Sequence, residues 1–131
     1  MTDAVISAVL AEVETLRAID PNLVVEVVAA DDYERAAKPP RAVAVRLLGE
    51  HLSTPPMSDE PPMEALVRML YELQDGVVEA LWSRGLDPVW PSCLPDHPHP
   101  ADARAVEGRP MWTCPTTHEV VRPMFYVAGA K

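Results

Sequence analysis

The chain has 131 residues, of which 48% are hydrophobic and 24% charged. That is enough for one ordinary globular domain and too apolar for a disordered one. The formal charge of −9 argues against a nucleic-acid backbone or an anionic membrane surface as an electrostatic partner, because both need clustered Lys and Arg. The whole excess lies in residues 1–88, while residues 89–131 carry four acidic and four basic side chains.

Residues 3–18 place Val5, Val9, Val13 and Leu16 three or four apart, with Ile6 and Leu10 beside them. This spacing predicts a helix with Thr2 available as N-cap. "DPN" at 20–22 ends it. "LVVEVV" at 23–28 is β-branched and short, and predicts a strand. "AVAVRLL" at 42–48 is the second strand, and the loop "AADDYERAAKPPR" allows an antiparallel hairpin. Glu26 and Arg46 can pair across it if they share a face.

"SDEPP" at 58–62 predicts a helix start, with Ser or Asp as cap and Pro tolerated in the first turn. The helix runs from about 60 to 84. Its stripe is Leu66, Leu70, Leu73, Val77 and Leu81, widened by Met63, Val67, Val78 and Trp82. Arg68 and Glu72 sit four apart, and Gly85 is suited to the C′ position. A two-stranded sheet has two open edges, so "EVVRPMFYVA" at 119–128 or a second copy of the chain is expected to complete it. Pro123 confines that last strand to an edge or a bulge.

The fold class expected is α+β: a helix-strand-strand-helix body, residues 1–88, with a C-terminal zinc-stabilised hairpin and edge strand, residues 89–131, packed on it. Fifteen prolines against five glycines punctuate the connections rather than the periodic segments. No apolar run approaches the length of a bilayer span, and the opening "MTD" lacks the basic region of a signal peptide. A cytoplasmic location is therefore expected, with two cysteines that serve as thiols or metal ligands. The Ala-, Val-, Arg- and Pro-rich vocabulary suggests a GC-rich bacterial genome.

Both cysteines and three of the four histidines fall within "PSCLPDHPHPADARAVEGRPMWTCPTTHE", residues 91–119. Cys93 is followed four positions later by His97, and Cys114 four positions later by His118. Thiolate and imidazole pairs at this separation can close a tetrahedron around zinc. Cys93, His97, Cys114 and His118 are thus the expected ligands, with His99 as an alternative. Trp90 and Trp112 would roof the site, and "ADARAVEGRPMW" would form a hairpin turning near Glu107-Gly108. A Cys93–Cys114 disulfide, or no metal at all, are the competing readings.

The pattern "WPSCLPDHPHP…GRPMWTCP" resembles the C-terminal element of small uncharacterised actinobacterial proteins with a W-P-x-C…H-P…W-x-C-P pattern. It is also similar to zinc ribbons, although a C-x3-H knuckle replaces the usual one. The resemblance spans about 30 residues and implies a zinc-binding tail with no assigned activity.

No convergent catalytic set accompanies these residues. His118-Glu119 begins an H-E-x-x-H motif, but position 122 is Arg and Pro123 prevents a helix. His51 with Glu50 and Ser53, and the acidic "DDYE" at 31–34, read as loop residues. The expected function is a non-catalytic zinc-binding module that binds a protein partner or itself. The alternative is a small metal-dependent hydrolase with Glu119 as base. Nucleic-acid binding would rest on Arg104, Arg109 and Arg122 alone.

Overall fold

A computed structural model of the chain describes residues 2–19, 21–29, 41–46, 50–53, 56 and 59–126. Helix α1 (Thr2–Glu14) passes into a 3-10 segment (Thr15–Ala18), and Val5, Val9, Val13 and Leu16 form its buried face as the spacing predicts. The helix begins at Thr2 itself, and the Thr2 side chain lies outside the described set.

Strands β1 (Val24–Ala29), β2 (Arg41–Arg46) and β3 (Glu50–Leu52) form an antiparallel sheet in that order. The third strand is β3, and the C-terminal strand belongs to the other sheet. Three residues are too few to show a period, and the pairing is extended by Ser53. Its N–H donates to the Val43 carbonyl at 3.0 Å, and its hydroxyl accepts from Val43 N–H at 3.1 Å. Glu26 lies opposite Ala44 and Arg46 opposite Val24, so the expected pair is diagonal rather than direct. The "DDYE" cluster and residues 47–49 lie outside the described residues, as does the His51 side chain.

Helix α2 (Pro62–Ser83) starts without a side-chain cap: Pro61 occupies the N-cap and Pro62 the first turn. It stops at Gly85, whose φ of 69° suits a residue without Cβ. Leu86 N–H donates to Leu81 O and Gly85 N–H to Trp82 O, the paired bonds of a Schellman motif. Leu66, Met69, Leu70, Leu73, Val77 and Leu81 are buried, but Trp82 is 73% exposed. The helical period placed Trp82 at the margin of the stripe, and among the described residues no element packs over that margin at the C-terminal end. Arg68 bonds Glu72 at 3.2 Å and also Glu60 at 2.8 Å.

The second sheet has the order β4-β5-β6, antiparallel, from β4 (Asp102–Val106), β5 (Arg109–Thr113) and β6 (Val120–Pro123). Glu107 and Gly108 have φ of 50° and 75°, the two positive angles of a type I′ turn, so the hairpin turns where expected. Pro123 ends the edge strand β6. Trp90, Ala101, Ala103, Trp112 and Met124 share one apolar cluster with α1, α2 and β2. The core is thus continuous across position 88. No helix among the described residues is long and apolar enough to cross a membrane.

Candidate metal centre

Two arms of irregular chain approach each other beside the second sheet. The first is the excursion between Trp90 and Ala101, whose ends are drawn together by hydrogen bonds. Ala101 N–H donates to Pro91 O at 2.8 Å, and Ser92 bridges Pro100. From α2, the buried Gln74 donates its amide to Trp90 O at 3.1 Å and to Ala101 O at 2.6 Å. Inside the excursion Asp96 takes a φ of 67°, tolerated because a short polar side chain can visit this region. That turn lets His97 N–H bond back to Leu94 O at 3.0 Å and brings His97 over Cys93.

The second arm leaves β5 at Cys114. Its ends are closed by Cys114 N–H on Glu119 O and His118 N–H on Cys114 O, both 2.8 Å. Thr117 N–H points at Cys114 Sγ, 3.4 Å away, the way backbone amides hold a thiolate.

The arms bring Cys93, His97, His99 and Cys114 together, with one ligand atom from each lying within 4.8 Å of all the others. His97 Nδ1 stands 3.7 Å from Cys93 Sγ and 3.4 Å from Cys114 Sγ. A tetrahedral ion at ordinary zinc–sulfur and zinc–nitrogen lengths separates its S and N ligands by about 3.6 Å, so these distances bracket an edge of such a tetrahedron. His99 Nδ1 lies 3.3 Å from Pro100 O. With the proton on Nδ1 donated there, Nε2 keeps its lone pair for the cluster, the usual outer support of a ligating histidine.

Electrostatics already favour a thiolate. Burial pushes the Cys114 thiol up, but the hydroxyl and N–H of Thr117, the N–H of Thr116 and His97 together outweigh it. The thiol falls to about 5. Cys93 moves the other way, raised by burial and by the neighbouring Cys114 despite the Leu94 amide. Both cysteines are free of any disulfide.

Comparison with protein-family models, curated proteins and solved structures returns no match.

Of the expected ligands, the structure gathers Cys93, His97 and Cys114, and places the alternative, His99, as the fourth member. His118 stands outside the group and is exposed. Its φ of 67° and its N–H bond to Cys114 O close the second arm, so its backbone shapes the knuckle while its imidazole is free of the cluster. Trp90 and Trp112 pack edge to face at 6.2 Å within the core. Trp90 Nε1 donates to Thr15 Oγ1 at 2.9 Å, and Trp112 Nε1 to Glu12 Oε1 at 2.8 Å.

Two supporting residues escaped the sequence reading. Gln74 sits among Leu70, Leu73 and Val77 on the buried stripe of α2. Glu12 sits among Val9, Val13 and Leu16 on that of α1. A polar residue at a core position of a helical period was the available signal, because such a group is kept only with partners. Glu12 has four bonds: besides Trp112, its carboxylate accepts from both terminal nitrogens of Arg122 at 2.7 and 3.1 Å and from Phe125 N–H at 2.7 Å.

Proposed function

We propose that the protein is a non-catalytic zinc-binding module that works by binding another protein. Zinc is held by Cys93, His97, His99 and Cys114. The observation that carries this is the convergence of four soft or borderline donors from two separate arms within 4.8 Å. Two thiolates and two imidazoles select zinc over hard cations, and the spacing matches its tetrahedron. Four protein ligands leave no position for an activated water. The hydrolase alternative would need one of them displaced, so the closed set favours a structural ion.

Elemental analysis of the purified protein tests this directly. One zinc per chain is expected, lost in Cys114→Ser and His99→Ala and retained in His118→Ala. A cobalt-substituted form should show the intense visible absorption of a four-coordinate S2N2 site. Metal-free yet fully ordered arms would sink the proposal, and weak five-coordinate spectra would favour the hydrolase.

A further inference from the structure

Strand β4 is an edge of the second sheet, since the order is β4-β5-β6. The two-residue turn makes Val106 and Arg109 a hydrogen-bonded pair, and the antiparallel ladder alternates from there. Ala105 faces Pro110 and Ala103 faces Trp112 in the intervening, non-bonded pairs. Pro110, which has no N–H, fits only such a pair, and its carbonyl instead accepts Met124 N–H from the β6 side at 3.1 Å. The N–H and C=O groups of Ala103 and Ala105 therefore point away from β5, to the open edge.

Ala101 has the same phase, and its outward groups are taken by Pro91 and Gln74. For Ala103 and Ala105 no such partner exists among the described residues. Among the described residues, the edge is covered at one end by the chain itself and left bare for the next two outward positions.

Beside those bare positions lies a cavity of about 290 Å³ lined by Glu64, Val67, Arg68, Tyr71, Ala103 and Ala105. The alanines of β4 leave the room, and α2 provides the opposite wall. Tyr71, 59% exposed, also lines an adjoining cavity of about 270 Å³ that reaches Asp75. An open strand edge facing a helix across an apolar groove is the geometry in which an extended peptide adds to a sheet. Its main chain bonds the edge while alternate side chains enter the groove.

The charge around the groove chooses the occupant. Arg68 is engaged by Glu60 and Glu72, whereas Glu64 and Asp75 are exposed acids on the groove walls. A second copy would bring its own charge of −9 against this surface. We propose that the groove between α2 and the open edge of β4 takes an extended, basic segment of a partner protein. That segment adds as a strand beside β4 and seats an apolar side chain against Val67 and Tyr71. This rests on the protein-binding reading above and names where the partner docks and what its chemistry is.

The test is selection of displayed random nonapeptides on the zinc-loaded chain, with Ala105→Pro as counter-target. Proline is tolerated on an edge strand where its N–H would face solvent, so this variant keeps its ladder to β5 but loses one outward donor. Its zinc content and melting temperature serve as the check on folding. Enriched peptides should carry two or more Lys or Arg around an apolar residue and bind Ala105→Pro at least tenfold more weakly. A synthetic copy N-methylated at alternate residues should lose binding in one phase and keep it in the other. Peptides that bind Ala105→Pro equally, tolerate methylation in both phases, or are acidic would overturn the docking site while leaving a protein-binding module intact. Absence of any enriched peptide would overturn both.

Discussion

At the level of single residues, the two thiols divide the work of holding an ion before any ion arrives. Cys114, brought to about 5 by the Thr117, Thr116 and His97 hydrogen bonds against its burial, is already a thiolate at neutral pH. Cys93, raised by burial and by Cys114, is still protonated and must release its proton when metal binds. The thiols therefore release about one proton rather than two at pH 7, and zinc affinity rises about tenfold per pH unit from this source. Below about pH 5 the Cys114 proton adds a second factor, so affinity falls more steeply there. Calorimetric titration of zinc in buffers of different ionisation enthalpy measures the count. Two thiol protons at pH 7 would show that the Thr117 knuckle does not lower Cys114. Glu12 is the other decisive residue. Its side chain is fully buried and its ion pair with Arg122 at 2.7 Å joins α1 to the end of β6. Breaking such a pair from one side leaves a buried charge uncompensated, at a cost of about 3–5 kcal/mol. Arg122→Met should therefore destabilise by about that amount, and by more than Glu12→Gln, which removes the charge and retains an acceptor for Trp112. Urea denaturation of the zinc-loaded variants gives the comparison.

Among the elements, Gln74 does for the first arm what Glu12 does for the sheet. It holds Trp90 O and Ala101 O, the two ends of the excursion that carries Cys93, His97 and His99, against one turn of α2. Gln74→Leu fills the same volume but leaves two buried carbonyls without a donor, each worth about 1–3 kcal/mol. The variant should melt lower and bind zinc several-fold more weakly, because the arm must now be ordered by the metal itself. Competition with a chelator of known affinity reads the second effect. The helices, the first two strands and the Glu107-Gly108 turn were legible in the sequence, since period, length and turn chemistry all operate within a few residues. So were Cys93, His97 and Cys114, which the C-x3-H spacing marks. The choice of His99 over His118 was not, because it depends on two residues with positive φ, Asp96 and His118, that set how each arm folds back. β3 was hidden by its three-residue length. The sheet chosen by the last strand depends on Trp112 and Glu12, which lie 100 positions apart in the chain.

For the molecule as a whole, the question is how far loss of the ion spreads. In an isolated zinc-finger peptide the metal supplies about 10–16 kcal/mol and the fold disappears without it. Here the hairpin β4–β5 has anchors of its own. Trp112 is completely buried against Trp90 and Glu12, and Ala101 and Ala103 belong to the same apolar cluster as α1 and α2. The two arms have almost none. Between 92 and 100 only Cys93 is buried, and between 115 and 119 every residue is exposed. Stability is distributed by such local contact, so cooperative units can open separately. Chelation should release the arms and leave the body. Amide exchange is expected to lose protection at Ser92–Pro100 and Cys114–Glu119 while α2, β4 and β5 keep theirs. Tryptophan emission offers an independent check: Trp82, 73% exposed, contributes a constant red component, and Trp90 and Trp112 should remain in an apolar environment. A shift of the whole spectrum to that of the urea-unfolded chain would show instead that the ion supports the entire fold, and that Glu12 and Gln74 cannot hold the C-terminal element alone.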